Sequence, residues 1–348
     1  MLEIAKNVSL LNHNTLGVAA QAYAYSAIDS DGDLRDALQY AEQHGLPSLV
    51  LGGGSNIVLS DDYPGLVIHM RQRGISASPI EGGVALRVAA GENWDALLRY
   101  CLDQGWYGLE NLIAIPGSVG AAPVQNIGAY GVELSHCLAW VEGWDRQLGE
   151  CRRLSAEQCQ LAYRDSIFKD ALRDQFIITE VGLHLRHRAH ANTDYPALRQ
   201  FLVEHGESPE KVHPRVVAQA VAAIRAAKLP DVHAEPNAGS FFKNPTITTT
   251  EYEALKKSHP TIPGFVVNDQ QVKVPAAWLI DNAGFKGQCI DGVCCYHRQP
   301  LVLVNQHHAT GEALLTLARA IQQKVSQLFS VTLAPEVRLL GKQGRIEL

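Results

Sequence analysis

The chain has 348 residues, 46% of them hydrophobic and 19% charged. That is an ordinary globular composition, long enough for two or three domains and for a core that needs no disulfide staples. A formal net charge of −6 argues against a generic nucleic-acid or membrane-surface binder, though a pocket on an acidic protein can still be locally basic. Seven cysteines include no C-x-x-C pair, so reduced, mostly buried thiols and no metal site are expected. The opening Met-Leu-Glu-Ile-Ala-Lys has no apolar core behind its lysine, and no apolar run approaches the roughly 20 residues that span a bilayer. A soluble, cytoplasmic protein without a signal peptide is expected.

Asp33–His44 sets Leu34, Ala37, Leu38 and Ala41 at helical spacing, and Gly45 ends the helix. Ser48–Leu51 reads as a buried strand emptying into Gly52-Gly53-Gly54-Ser55-Asn56. Strands are expected at Gly65–Met70 and Val84–Ala90, then a helix from Asn93 to Gln104. Phe176–Leu185 alternates, with Ile177, Thr179, Val181, Leu183 and Leu185 on one side, as in a half-exposed strand. The polar, His-rich stretch 187–213 is expected to be a domain boundary. His184, His187 and His190 recur within it and just before it, but His184 is on the polar side of its strand, so no metal site is expected. Pro214–Lys228 predicts a helix with Val217, Val221 and Ile224 on one face. Beyond it, helices are expected near 251–259, 275–283 and 309–329. Strands are expected near 289–296 and 301–304, and a last one around Val337–Leu340.

Four segments carry chemistry. Three consecutive glycines at 52–54 can turn successive N–H groups toward an anion, yet the run is neither a P-loop nor the G-x-G-x-x-G fingerprint. Ile115-Pro116-Gly117-Ser118-Val119-Gly120-Ala121-Ala122-Pro123, followed by Gln125–Gly131, is small at almost every position. Either something bulky and flat lies against that backbone, or helices pack closely there. Tyr163–Lys169 contains Arg164, a planar fork able to clamp a carboxylate. Gly239-Ser240-Phe241-Phe242-Lys243-Asn244-Pro245 presents a serine hydroxyl at a turn anchored by two aromatics. Arg225 and Lys228 share a helix face near its C-terminal end, where the helix dipole alone would favour cations.

In this order, Gly53–Asn56, Ile115–Gly131, Tyr163–Lys169, Lys228-Leu229-Pro230-Asp231, Asn237–Pro245, Ala277–Asp281 and Pro335–Arg338 resemble the UDP-N-acetylenolpyruvoylglucosamine reductase family, in its longer, tyrosine-loop subtype. The resemblance covers nearly the whole chain. It departs at Val232–Pro236, where members commonly have a shorter Pro- and Gly-containing connection. It implies an α+β protein: an FAD-binding domain of the vanillyl-alcohol-oxidase-like (PCMH-type) fold in two lobes, 1–70 and 71–213. A smaller α+β substrate domain would occupy 214–330, and 331–348 would return as a strand to the FAD-binding region.

The implied reaction uses NADPH and FAD to reduce an enolpyruvyl ether on a UDP-sugar, a step of peptidoglycan precursor synthesis. Hydride would go to C3, and Ser240 would protonate C2 with Arg164 and Glu336 as catalytic companions. By the same resemblance, cofactor contacts fall on Gly52, Gly53, Gly54, Ser55, Asn56, Ile115, Pro116, Gly117, Ser118, Gly120, Ala121, Asn126, Ile127, Gly128, Arg225 and Arg338. Substrate contacts fall on Tyr130, Tyr195, Lys228 and Asn244. No nucleic-acid, membrane or obligatory protein partner is implied. An FAD-dependent sugar-alcohol or lactone oxidase of the same fold superfamily is the alternative enzyme, and a nucleotide-sugar sensor the non-enzymatic one.

Overall fold

In a computed structural model, which describes residues 2–348, the chain divides into two compact units. The first is built mainly from Ala24–Gly53 and Gly65–Ala227, the second from Asn7–Tyr23, Gly54–Pro64 and Lys228–Leu348.

Helix α1 of the first unit, Asp31–Gln43, begins where the Ser30 hydroxyl accepts the Asp33 N–H, and it buries Leu34, Ala37 and Ala41. Helix α2, Trp94–Gln104, is capped by Asn93 in the same way and closed by Gly105 in the left-handed region. Two sheets carry these helices. One has the spatial order Ala5–Ser9, Gln21–Ile28, Tyr63–Met70, Ser48–Leu51, with its last two strands parallel. The other is antiparallel, in the order Glu150–Ser155, Leu138–Asp145, Phe176–Arg186, Gly83–Ala89, Ile75–Ile80.

Phe176–Arg186 corrects an expectation. It is the middle strand of five, and only His184 and Arg186 are exposed along it. The face expected to meet water is covered instead, for example by Phe168, whose ring is 5.5 Å from that of Phe176. A central strand is buried on both faces whenever other segments supply a second layer.

The polar stretch 187–213 is not the boundary between the units. It contains helix α3, Pro196–Glu204, with Leu198 and Leu202 buried in the first unit's core. Helix α4, Pro214–Lys228, buries Val217, Ala218, Ala220, Val221 and Ile224 in that same core. It therefore closes the first unit up to Ala227 rather than opening the second.

The second unit holds α5 (Thr249–Ser258), α6 (Ala276–Asn282) and α7 (Gly311–Phe329). Thr248 and Glu251 form a reciprocal capping box on α5. Helix α7 buries Leu314, Leu315, Leu317, Ala318, Ile321, Val325 and Phe329. It can begin only with glycine: a Cβ on Gly311 would be 1.9 Å from the Leu59 carbonyl oxygen. One sheet runs Asn237–Ser240, Val302–Asn305, Val293–Cys295, Cys289–Ile290, and another runs Thr246–Thr248, Gln271–Lys273, Phe265–Asn268. Near the C-terminus, Arg338–Gly341 pairs in parallel with Ile57–Leu59.

The strand expected over 289–296 is a hairpin. Asp291 and Gly292 turn at φ 50° and 82°, the left-handed pair of a two-residue turn whose twist matches its strands. The turn sets Cys289 opposite Cys294, and the two are joined as a disulfide. This corrects the expectation of seven reduced thiols; five cysteines remain free. Among the described residues, no helix is long and apolar enough to cross a membrane.

Candidate active-site residues

In the first unit the two glycine-rich segments lie against each other. A Cβ on Gly52 would meet Ser118 Oγ at 2.2 Å, and one on Gly53 would be 3.1 Å from Gly117 Cα. Gly53 has no room for a side chain because its backbone touches that of Gly117, and Gly52 because the Ser118 side chain fills the space, which joins the segments into one wall. The N–H groups of Gly53, Gly117 and Ser118 find no acceptor among the described residues. Gly120 has a different reason to be glycine, since its Cβ would be 2.5 Å from that of Ala90 while its N–H bonds the Ala90 carbonyl. Ala121 is exposed beside it and Pro116 precedes it, also exposed. Ile115 is half-buried and packs on the core.

The next segment is pinned from within. Asn126 is fully buried; its Nδ2 donates to Glu133 Oε2 at 2.8 Å and to the Ala162 carbonyl at 3.1 Å, and its Oδ1 accepts the Ser135 N–H. Its side chain is thus spent inside the protein. Ile127 is buried, with its N–H on the Ala122 carbonyl. The Gly128 carbonyl accepts Arg164 Nη2 at 2.9 Å, which anchors one end of that guanidinium. Lys169 Nζ donates to the Arg164 carbonyl at 3.2 Å.

Ala114, Asn126, Tyr130 and Arg164 all have positive φ, from 43° to 59°. Non-glycine residues held in the left-handed region each store about 1–3 kcal/mol, and such strain concentrates at functional sites. Tyr130 stacks edge-on against Tyr195, with ring centroids 5.3 Å apart, so the structure brings together two residues distant in sequence that share a predicted role. Tyr195 is itself exposed.

Arg225 projects from α4 toward this cluster. Burial, together with the like charge of Arg164, pulls its guanidinium below the ordinary value, while the nearby Tyr130 and Asp95 oppose the shift. Burial also raises the Tyr130 phenol, against the pull of Arg225. The Arg225 Nε is sealed from solvent without a hydrogen-bond partner. Among the described residues no carboxylate forms a salt bridge with it, and a half-buried cation with an orphaned donor is expensive to keep.

In the second unit Ser240 ends its strand opposite Val302, past an irregularity in register after Asn237. Gly239 makes that kink at φ 69°, its N–H held by Asn237 Oδ1 at 2.9 Å. Phe241 and Phe242 then lock the turn, both buried and edge-to-face. Ser240 stays half-exposed between them and the strand. The Glu336 N–H donates to the Phe241 carbonyl at 2.7 Å and the Lys243 N–H to that of Ala334, which fastens the Glu336 segment to the serine turn.

Asn56 continues the arrangement: its carbonyl accepts the Arg338 N–H at 2.9 Å, and its amide reaches the Glu336 carbonyl at 3.4 Å. Gly54, at φ 64°, would put a Cβ 2.0 Å from the His13 carbonyl; Ser55 follows, half-buried. Asn244 Oδ1 accepts the Ala276 N–H at the start of α6. Lys228 is exposed where α4 ends. Sequence reasoning missed Asn111, which is fully buried and donates to the carbonyls of both Tyr130 and Asn192. Its signal was a polar Glu-Asn pair set between apolar residues.

The first unit's residues fit FAD. Unused N–H groups on a wall of small residues suit a diphosphate, and Arg225 offers a half-buried cation beside it whose Nε has no hydrogen-bond partner. A family model described as an FAD binding domain matches residues 23–155, and one described as the C-terminal domain of UDP-N-acetylenolpyruvoylglucosamine reductase matches 231–340. Curated UDP-N-acetylenolpyruvoylglucosamine reductases are similar over essentially their full length. That of Pseudomonas fluorescens is 44% identical over 96% of this chain and 98% of its own. That of Amoebophilus asiaticus is 42% identical over 97% and 100%, and that of Escherichia coli K12 42% over 98% of each. A crystal structure of the Thermus caldophilus UDP-N-acetylenolpyruvylglucosamine reductase shares the fold, with a TM-score of 0.67 at 23% identity over 97% of this chain and 98% of that one.

Proposed function

Because this chain belongs to the UDP-N-acetylenolpyruvoylglucosamine reductase family, it is an FAD-dependent oxidoreductase of peptidoglycan precursor synthesis, and we propose the residues through which it reduces the enolpyruvyl ether of a UDP-sugar. The chemistry that bound FAD supplies is two-electron reduction at C3 of the enolpyruvyl group, with NADPH as the electron source. The substrate is a small nucleotide sugar, and the cytoplasm is the proposed site of action.

Adding a hydride equivalent at C3 leaves negative charge at C2, delocalised into the neighbouring carboxylate. Arg164 meets that charge: one end of its guanidinium is held by the Gly128 carbonyl, so the fork is oriented before the charge develops. Ser240 then delivers its hydroxyl proton to C2. A serine is a feeble acid, but a carbanion is a strong enough base that position matters more than acidity. Glu336 is the third catalytic residue, placed by its N–H bond to Phe241. Gly52, Gly53, Gly117 and Ser118 would hold the cofactor diphosphate, and Arg225 and Arg338 would be further cofactor contacts. Tyr130, Tyr195, Lys228 and the Asn244 NH₂ hold the substrate.

The observation that carries this reading is the Ser240 turn, kinked at Gly239 and clamped by Phe241 and the Glu336 backbone. It leaves one alcohol half-exposed on an otherwise rigid segment. Stopped-flow spectroscopy of the FAD-loaded Ser240→Ala variant separates the half-reactions. Flavin reduction by NADPH should proceed at the wild-type rate, while reoxidation by the UDP-sugar slows by about 10²–10⁴-fold, the range of a general acid. Unchanged reoxidation removes Ser240 from the mechanism.

A further inference from the structure

Asn111 lies in the short turn Glu110–Leu112, with no exposed surface. Its NH₂ group uses both hydrogens on main-chain carbonyls, Tyr130 at 2.8 Å and Asn192 at 2.9 Å, which are 19 and 81 residues away in sequence. Its Oδ1 is buried without a partner. An apolar side chain of equal size would avoid that orphaned acceptor, so core packing alone does not account for an amide here.

The two carbonyls belong to the segments that carry the aromatic pair. Tyr130 is in the left-handed region at φ 49°, a conformation that a tyrosine keeps only under outside restraint. Asn192 accepts the Asp194 N–H on its own Oδ1 at 3.0 Å, closing a turn that delivers Tyr195 to the start of α3. The segments approach so closely that a Cβ on Gly131 would be 3.4 Å from Asn192 Oδ1 and 3.9 Å from Tyr195 Cβ. Yet among the described residues no hydrogen bond joins them directly. The Asn111 amide spans that seam, and the two rings meet across it at 5.3 Å.

We propose that Asn111 is a positioning residue that sets the spacing of Tyr130 and Tyr195 and thereby the affinity for the UDP-sugar. The proposal rests on the reading that these tyrosines contact the substrate. Its signature is a change in KM rather than in kcat, because Asn111 touches neither Ser240 nor the reacting atoms in this scheme. It also predicts energetic coupling: once Tyr195 is removed, the pin has nothing left to position.

The test uses FAD-loaded enzyme and steady-state kinetics in the UDP-sugar for N111L, N111D, Y195A and the doubles with Y195A. N111L keeps the volume and removes both donors, while N111D sets carboxylate oxygens against the two carbonyls. Each single variant at Asn111 should raise KM about tenfold, the loss expected for one to two buried hydrogen bonds, with kcat nearly unchanged. In the Y195A background the same substitution should add less than about twofold. KM unchanged at Asn111 while Y195A raises it overturns the proposal alone, as does an equal rise with and without Tyr195. An unchanged KM in Y195A overturns the substrate reading and the proposal with it. If the Asn111 variants do not retain FAD, Asn192→Ala, which breaks the same turn from a half-exposed position, carries the same expectations and the same refutations.

Discussion

Replacing Arg225 with methionine should make the ligand-free protein more stable and the cofactor weaker, a pairing that ordinary core damage cannot produce. The orphaned Nε leaves an unsatisfied buried donor worth about 1–3 kcal/mol. The neighbouring Arg164 charge, which helps hold the Arg225 pKa down, adds repulsion that Asp95 partly offsets. Against this, a cation in the last turn of α4 interacts favourably with the helix dipole by about 0.3–1 kcal/mol. The first effect outweighs the second, and methionine keeps both helix propensity and a flexible apolar stem. The net expectation is about 1–2 kcal/mol of added apoprotein stability, or roughly 2–8 °C in Tm for a unit of this size. Loss of a charge-assisted bond to the cofactor is worth about 1.5–3 kcal/mol, or about 10–100-fold in the FAD dissociation constant. Calorimetry of the apoprotein and a fluorescence titration with FAD read the two effects separately. A lower apoprotein Tm, or an unchanged FAD affinity, refutes the argument that Arg225 is kept for an anion.

Gly53→Ala should weaken FAD binding about tenfold, because its Cβ would press on Gly117 Cα at 3.1 Å and part the two segments of the wall; an unchanged titration would mean the wall does not bind the cofactor. Asp145 is buried, and desolvation alone would raise its pKa, but the N–H groups of Leu148 and Gln147 and the Arg152 guanidinium outweigh that and leave it lowered. Its contribution is therefore full above the unfolded value of about 3.9 and is lost as pH falls through the lower folded value. Urea midpoints of wild type and Asp145→Asn should accordingly differ near pH 6 and converge in acid, and a pH-independent gap would sink this account. Burial pushes the thiols of Cys101, Cys159 and Cys295 up to about 12 and that of Cys137 to about 11, whereas Cys151 is exposed. Mass spectrometry after alkylation at neutral pH should find one label on the native protein, five after unfolding without reductant and seven after reduction. Seven labels without reductant would rule out the Cys289–Cys294 bridge.

What could be read along the chain was whatever depends on near neighbours. The apolar stripe Val217, Val221, Ile224 of α4 follows from a 3.6-residue period, and the extent of α2 from Asn93 to Gln104 follows from preferences that act over a few bonds. The glycine-rich segments and the Ser240 turn were legible because backbone that bends sharply or touches other backbone tolerates few residue types. Their order along the chain was enough to indicate the family.

Tertiary structure decided what depends on partners far away in sequence. Phe176–Arg186 reads as half-exposed until a second layer covers its other face. Cys289 and Cys294 carry no sign of a bond until the turn at Asp291-Gly292 sets their register. Most of all, Asn111 is an unremarkable amide until the fold brings two carbonyls, 19 and 81 residues on, within reach of its two hydrogens. A hydrogen bond is specified by distance and angle in space, and local sequence carries neither for groups that chain folding alone brings together.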